Sequence, residues 1–236
     1  MCFLCIWECN FTYLHSIIQT QFRYFFVDFK QIKNIIFDLG GVIINIDYGK
    51  SIQHLQQLCK DNCNIAFSQK EQSHLFDLFE TGVSSNEEFR NNLRQTYQID
   101  ATDEQIDDAW NAMLLDIPQE RIDLLLELGK HYRIFLLSNT NAIHMKRFNE
   151  IVEHSFTIPS LDSLFDKSYY SHLVGKRKPD AAIFEQVLAE NGLEKAETLF
   201  IDDSIQHIES ARNVGLQTLH LQPPLTINQV FADVVS

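Results

Sequence analysis

The feature that most constrains this chain is a repeated unit: a short, almost wholly apolar run that breaks off at polar residues. Asn34-Ile35-Ile36-Phe37 runs into Asp38-Leu39-Gly40-Gly41. Tyr132-Arg133-Ile134-Phe135-Leu136-Leu137 runs into Ser138-Asn139, and Thr198-Leu199-Phe200-Ile201 into Asp202-Asp203. Leu216-Gln217-Thr218-Leu219-His220 is a further run of this kind. Unbroken apolar runs this short fit strands buried on both faces. Helical patterns follow the later runs. One extends from Pro179 to about Glu190 and stops at Asn191-Gly192; another covers about Ser204 to Val214 and stops at Gly215. Proline at a helix start and glycine just past its end match the chemistry of helix termini. Strands alternating with helices predict an α/β fold built on a parallel sheet.

The stretch between Phe37 and Tyr132 is far longer than a plain crossover needs. Helical patterns at 52–58, 72–79, 87–97 and 104–115 fill it, and Thr102-x-x-Gln105 has the form of a capping box. A small helical cap over residues 49–116 is expected, inserted into a core of residues 32–48 and 117–236. Residues 61–130 hold 15 Asp/Glu against 5 Lys/Arg, which reads as a solvated face.

Charge narrows the partners. Lys+Arg is 19 against Asp+Glu 32, a formal net charge of -13. A chain this acidic is a poor binder of nucleic acid or anionic membrane through bulk charge. A small phosphate-bearing molecule remains open, because local geometry overrides net charge. The 5 cysteines are Cys2, Cys5, Cys9, Cys59 and Cys63. An odd count without a clear secretion signal predicts a reducing compartment, the cytoplasm. Cys2, Cys5 and Cys9 have metal-like spacing, but no His/Cys cluster completes a site. Cys59 and Cys63 fall on an expected helix and read as free, semi-buried thiols. Residues 1–31 are rich in Phe, Tyr and Cys. Glu8, Asn10, His15, Gln19 and Gln21 interrupt any run long enough to span a bilayer, and no cationic start or small-residue cleavage site marks a signal peptide. This segment is expected to be an appendage, dispensable for catalysis; three readings stand for it, packing on the domain, weak docking on a membrane surface, or an upstream start site, with the last favoured.

In an open parallel sheet, ligands bind at the C-terminal ends of the strands. Asp38, Ser138, Asn139, Asp202 and Asp203 are therefore expected to converge, joined by Lys178 of Gly175-Lys176-Arg177-Lys178-Pro179. A carboxylate can attack phosphorus, but its charge repels a phosphate dianion. A divalent cation removes that barrier, and Mg²⁺ prefers carboxylate, carbonyl and water oxygens. Asp38 and the Asp202/Asp203 pair can supply them. The hydroxyl and backbone N–H groups of Ser138-Asn139 can hold phosphate oxygens, and Lys178 can neutralise developing charge. Each piece has a plainer reading: a turn or helix cap for the acids, an N-cap cluster for Ser138-Asn139-Thr140-Asn141, a solvated lysine. The ordered combination carries the weight.

Phe37-Asp38-Leu39-Gly40-Gly41-Val42, Leu137-Ser138-Asn139-Thr140, Lys178-Pro179 and Phe200-Ile201-Asp202-Asp203-Ser204 resemble, in order, the four motifs of the haloacid dehalogenase (HAD) superfamily. Ala181-x-Ile183-Phe184 and Ala211-Arg212-x-x-Gly215 look like its flanking helices, so the resemblance covers about residues 33–221. The insert looks like the family's small helical cap, and Glu80-Thr81-Gly82 with Glu87-Glu88-Phe89 is similar to cap segments of bacterial members. Within the superfamily the chain resembles bacterial sugar-phosphate phosphatases such as α-glucose-1-phosphate phosphatase.

The resemblance implies a Rossmann-like core with an inserted helical cap. It also implies a Mg²⁺-dependent phosphomonoester hydrolase, acting on a small phosphometabolite through an aspartyl-phosphate. On that resemblance Asp38 is the nucleophile and a metal ligand. Ser138 and Asn139 bind phosphate, Lys178 pairs with the phosphate and with Asp38, and Asp202 and Asp203 hold Mg²⁺ directly or through water. The carbonyl of Gly40 is a further metal ligand. One position departs from the pattern. Many HAD phosphatases carry a second, acid/base Asp where this chain has Gly40, and glycine cannot move a proton. Asp47 is a substitute, with a solvated residue at the cap entrance as its plainer reading. The departure keeps two alternatives open: a dehalogenase, which needs neither metal nor that Asp but sits badly with the Asp202-Asp203 pair, and a non-catalytic protein that binds a phosphometabolite or a partner.

Overall fold

The computed structural model describes residues 27–234 apart from 62, 66 and 68–73. The Cys2/Cys5/Cys9 reading and residues 1–26 of the expected appendage lie outside the described residues. Five strands, β1 (Asn34–Phe37), β2 (Arg133–Ser138), β3 (Lys167–Tyr170), β4 (Thr198–Asp202) and β5 (Gln217–His220), form one sheet in the order β3-β2-β1-β4-β5. All four pairings are parallel. This is the expected Rossmann-like α/β architecture. Alternate residues of the central strands serve opposite faces. Ile35, Phe37, Leu136 and Ile201 enter one apolar cluster, while Ile36, Phe135 and Phe200 enter another with Phe184 and Ile208. Both faces are covered, which is why the strands read as continuous apolar runs.

The edge strand β3 carries no such signal. Lys167-Ser168-Tyr169-Tyr170 has no aliphatic residue, and its two tyrosines supply the buried surface instead.

Between β1 and β2 lie α1 (Tyr48–Gln57), α2 (His74–Glu80), α3 (Asn86–Tyr97) and α4 (Asp103–Asn111), followed by α5 (Gln119–Leu128). The Thr102/Gln105 capping box opens α4, and Ser85 with Glu88 forms another at α3. The helix expected over 104–115 ends at Asn111, because the chain beyond it turns to pair with the opposite crossing. Leu55, Phe76, Phe89, Leu93 and Trp110 give this helical unit a core of its own. Phe76 stacks on Trp110 with ring centroids 5.1 Å apart, and Phe79 on Phe89 at 4.0 Å. Two chain crossings, side by side and antiparallel, tie the unit to the sheet. Asn45 N–H donates to the Asp116 carbonyl (2.9 Å), Leu115 N–H to the Asn45 carbonyl (3.0 Å) and Asp47 N–H to the Met113 carbonyl (3.0 Å).

The remaining helices are α6 (Ala142–Ser155), α7 (Ser171–Val174), α8 (Ala181–Asn191), α9 (Ile205–Val214) and α10 (Ile227–Val230). Gly192 and Gly215 end α8 and α9 at positive φ, as expected. Pro179 does not open α8: the N-cap is Asp180, and the Lys178–Pro179 bond is cis.

Two expectations need correction. Cys59 and Cys63 are not free thiols on a helix; they form a disulfide, with Cα atoms 6.3 Å apart. Helix α1 stops at Gln57, Cys59 bridges to Ile99, and the chain bends back, so the two sulfurs meet where a continuing helix would have kept them on successive turns. The appendage does not extend to residue 31 as a separate piece. Val27 and Phe29 pack on the sheet's core, with Phe29 edge-on to Phe231 at 5.3 Å.

Candidate active site

The sheet register brings the expected residues together. Phe37 lies opposite Leu136 on one side and Ile201 on the other, so Asp38 and Asp202 stand level on adjacent strands, with Ser138 one residue further along β2. Asp38 N–H donates to the Ile201 carbonyl (2.9 Å), which carries the pairing one residue past the strand. The oxygens of Asp38, Asp202 and Asp203 come within 4.8 Å of one another.

Lys178 is the centre of the cluster. Its Nζ donates to Asp38 Oδ1 and to Asp202 Oδ2, each at 2.7 Å, and it is 0% exposed. Asn139 holds it there: the Asn139 amide donates to the Lys178 carbonyl (2.8 Å) and accepts from the Lys178 N–H (2.9 Å). The Asn139 side chain is thereby committed to the lysine loop. What it can still offer an anion is backbone N–H. Ser138 is buried and lines the same pocket. The following turn is fixed by Ser171, whose hydroxyl accepts from the Thr140 N–H (2.9 Å) and donates to its carbonyl (3.0 Å). Helix α6 is capped by Asn141, so Ser138 and Asn139 are not its cap.

Asp202 has several partners. Oδ1 accepts from the Ser204 N–H (2.7 Å), a cap-like contact at the start of α9. His207, in the first turn of that helix, places Nδ1 at 3.0 Å from both carboxylate oxygens. Asp203 sits against the turn after β1. Gly41 there has φ +70°, and a Cβ on it would lie 2.3 Å from Asp203 Oδ2, so both backbone shape and close approach require glycine. Gly40 lies beside Asp38 in the pocket without a positive φ. Asp47 is not in the pocket. Its side chain accepts from the Gly49 N–H (3.0 Å) as the N-cap of α1, and its candidacy as an acid/base group is withdrawn.

The electrostatics follow from burial. Burial pushes the Asp38 carboxyl up; Lys178 opposes that, and Asp202 adds to it. Asp202 also pays for burial, but Lys178 and His207 together outweigh it and hold its carboxyl below the usual range. Lys178 stays charged because the two aspartates overcome its own desolvation. Three carboxylates meet in a confined space, two of them on the Lys178 ammonium. Oxygen donors of that charge and spacing fit a hard divalent cation such as Mg²⁺.

The helical unit roofs this cluster with Tyr48, Phe67, Glu80 and Met113. Among the residues of the pocket wall that sequence reasoning missed are Arg177, His144 and His207. Arg177 pairs with Asp77 and with Glu80 (3.0 Å), linking the lysine loop to α2. His144 stacks on Trp110 (4.8 Å, 17°), and its Nε2–H donates to the Trp110 carbonyl (3.1 Å). Burial lowers its pKa to about 4. Position beside a motif was the available signal for Arg177, next to Lys178, and for His207, in the turn after Asp203. His144 had none, because its partner is remote in sequence.

Residues 35–221 match the family described as haloacid dehalogenase-like hydrolase. The chain belongs to that family, and the relatives it matches over most of its length set it with the family's phosphatases. A D-ribitol-5-phosphate phosphatase of Bacteroides thetaiotaomicron is 33% identical over 187 residues, 79% of this chain and 90% of that protein. A HAD family enzyme of the same organism, crystallised as wild type with magnesium and inorganic phosphate, is similar with TM-score 0.77 and 34% identity, covering 85% of this chain and 99% of its own. A HAD-like family hydrolase of Porphyromonas gingivalis gives TM-score 0.74 at 33% identity, over 86% of this chain and 98% of its own. Among the described residues no helix is long and apolar enough to cross a membrane.

Proposed function

We propose that the chain hydrolyses the phosphomonoester of a small sugar or polyol, with Asp38 as nucleophile. The observation that carries this reading is the convergence of Asp38, Asp202 and Asp203 at the C-terminal edge of the sheet, with Lys178 bonded to the first two. The similarity to a ribitol-5-phosphate phosphatase over 79% of the chain supports the substrate class.

An oxygen of Asp38 attacks phosphorus, and the bond from phosphorus to the ester oxygen breaks. The ester oxygen leaves with the bonding electron pair and takes a proton from solvent water, since no acid stands at position 40. Water then attacks the aspartyl-phosphate at phosphorus, releasing inorganic phosphate and restoring Asp38. Mg²⁺, held by Asp38, Asp202, Asp203 and the Gly40 carbonyl, supplies charge neutralisation between nucleophile and phosphate. Lys178 orients Asp38 and faces the phosphate oxygens. The Ser138 hydroxyl and the Asn139 backbone N–H bind those oxygens. Residues 49–116 act as the cap that excludes water, on a core of residues 32–48 and 117–236. The compartment proposed for this activity is the cytoplasm. The acidic charge disfavours nucleic acid and anionic membrane as partners.

Phosphate release from a panel of polyol and sugar phosphates, with p-nitrophenyl phosphate as a generic ester, tests the reading. Turnover is expected with Mg²⁺, is abolished by EDTA and returns on re-addition. Full activity in EDTA removes the metal assignment, and no release from any ester removes the phosphatase reading.

A further inference from the structure

We infer that His144 is a positioning residue: its imidazole pins the helical unit to the phosphate-binding turn and so sets where the pocket roof stands over Asp38. The inference rests on the phosphatase reading and adds to it the joint between its two halves. His144 lies in the first turn of α6, just beyond Ser138-Asn139, and lines the pocket. Both ring nitrogens are engaged. Nε2–H donates to the Trp110 carbonyl in α4 (3.1 Å), and Nδ1 accepts from the Asn141 side-chain amide (3.2 Å). These partners leave one tautomer. A carbonyl can only accept, so the proton sits on Nε2. The Asn141 amide is itself oriented, because its Oδ1 accepts the His144 N–H (3.0 Å) and its NH2 end is left to face Nδ1. Asn141 thus aims the donor that reaches across to the cap.

The Trp110 carbonyl is a node. It also accepts from the Ser51 hydroxyl of α1 (2.6 Å), and Ser51 Oγ accepts in turn from the Met113 N–H (2.9 Å). Met113 lines the pocket, and α1 begins at Tyr48, which lines it too. A neutral chain of hydrogen bonds therefore runs from the phosphate turn through Asn141, His144, Trp110 and Ser51 to the roof, and all four residues are buried. The imidazole also stacks on the Trp110 indole. Stacked rings slide with little change in contact, whereas a hydrogen bond weakens steeply off its axis, so the bond and not the stack fixes the register. The phosphate turn has separate anchors, Ser171 on Thr140 and the Lys178 backbone on Asn139. Loss of the imidazole bond should therefore shift the roof and leave the phosphate end in place.

His144→Phe keeps a ring in the stack and removes both hydrogen bonds; His144→Gln restores an amide donor near the place of Nε2. For a pentitol 5-phosphate, kcat/KM should fall about tenfold in His144→Phe, the cost of stranding a buried polar group, and recover to within about threefold of wild type in His144→Gln. Competitive inhibition by inorganic phosphate should stay within about twofold in both. Asn141→Ser, which still caps α6 but no longer aims the ring, should lose about threefold on the ester alone, and decides the matter if His144→Phe does not fold. Equal losses for ester and phosphate would show a merely structural role and overturn the inference. So would an unchanged ester rate in the variant that folds, or a Gln variant as poor as Phe. Should the wild type hydrolyse no ester, acrylamide quenching of Trp110 makes the same comparison without turnover, in the full chain carrying Trp7→Phe so that Trp110 is the remaining tryptophan. Quenching raised in His144→Phe or, failing its folding, in Asn141→Ser, and near wild type in His144→Gln, would uphold the joint while the phosphatase reading fails; no difference between the variants would overturn it.

Discussion

The edge of the sheet and the helical unit above it are both buried, by opposite means. At the edge, Lys178 and Asp202 are 0% exposed and ionised, and their stability depends on each charge meeting its counter-charge at 2.7 Å. In the helical unit, Trp110 and its phenylalanine neighbours are buried by area and shape alone. Removing one partner from the first leaves a stranded charge. Removing one from the second leaves a hole. The first error is electrostatic and is felt in function at once; the second is felt mainly as lost stability.

The sharpest break in the comparison is Lys178→Met. It strands Asp38 and Asp202 together, and should abolish phosphate release while costing about 3–5 kcal/mol of stability. A melting curve checks this. Adding Asp38→Asn should recover part of the lost melting temperature without recovering activity, and equal melting in the single and double variants would mean that the pairing is not what holds the site. On the other side, Trp110→Ala should cost about 3–5 kcal/mol through its cavity. Because α1–α4 have their own core, denaturant unfolding followed separately by cap and core probes should show the loss concentrated in the helical unit.

The boundary between the two regions has its own signature. His144 is held neutral, with a pKa of about 4 against an ordinary 6.5. Above pH 6.5 the ring is neutral folded or unfolded, and its contribution is fully present. As pH falls from 6.5 to 4, the unfolded chain takes up a proton that the folded one refuses, and stability drops by up to about 3 kcal/mol. His144→Gln should flatten this part of a stability-against-pH profile; an unchanged slope would place the titration elsewhere.

Gly40 tests how much the edge tolerates. A Cβ there meets Ile46 Cδ1 at 2.5 Å, the movable end of a side chain. Gly40→Asp combined with Ile46→Val, which removes that atom, should fold and raise turnover of alkyl phosphates roughly tenfold, at the modest end of what an acid/base group supplies. No gain in the folded double variant would mean that another group already moves the proton. The smallest effect is expected at the N-terminal side. A chain begun at Val27 should melt with the full-length protein, whereas one begun at Gln31 loses Val27 and Phe29 and about 1 kcal/mol.

The same contrast explains what the sequence made legible. Asp38, Ser138, Asp202 and Asp203 stand where apolar runs stop, and a polar group at that point has few structural reasons to exist. Lys178 was found by its place in the order of motifs. The roof was not legible in this way. Glu80 is one acid in a strongly acidic segment, and Phe76 and Trp110 at helical spacing read as core, which they are. Strand β3 escaped because tyrosines replace the aliphatic run. Asn139 was legible as a site residue, but the commitment of its side chain to the Lys178 backbone depends on a loop far away in sequence.

The two side-by-side crossings at Asn45–Asp47 and Met113–Asp116 carry a consequence for the molecule's history. Since the chain leaves and re-enters the sheet at nearly one point, the sheet senses only a closed ring there, and ring closure grows costlier only with the logarithm of its length. Whatever hangs between Asn45 and Asp116 is in effect a cassette. It can be lengthened, shortened or exchanged while β1 and β2 stay in register, so new substrates can be tried without putting the reaction chemistry at risk.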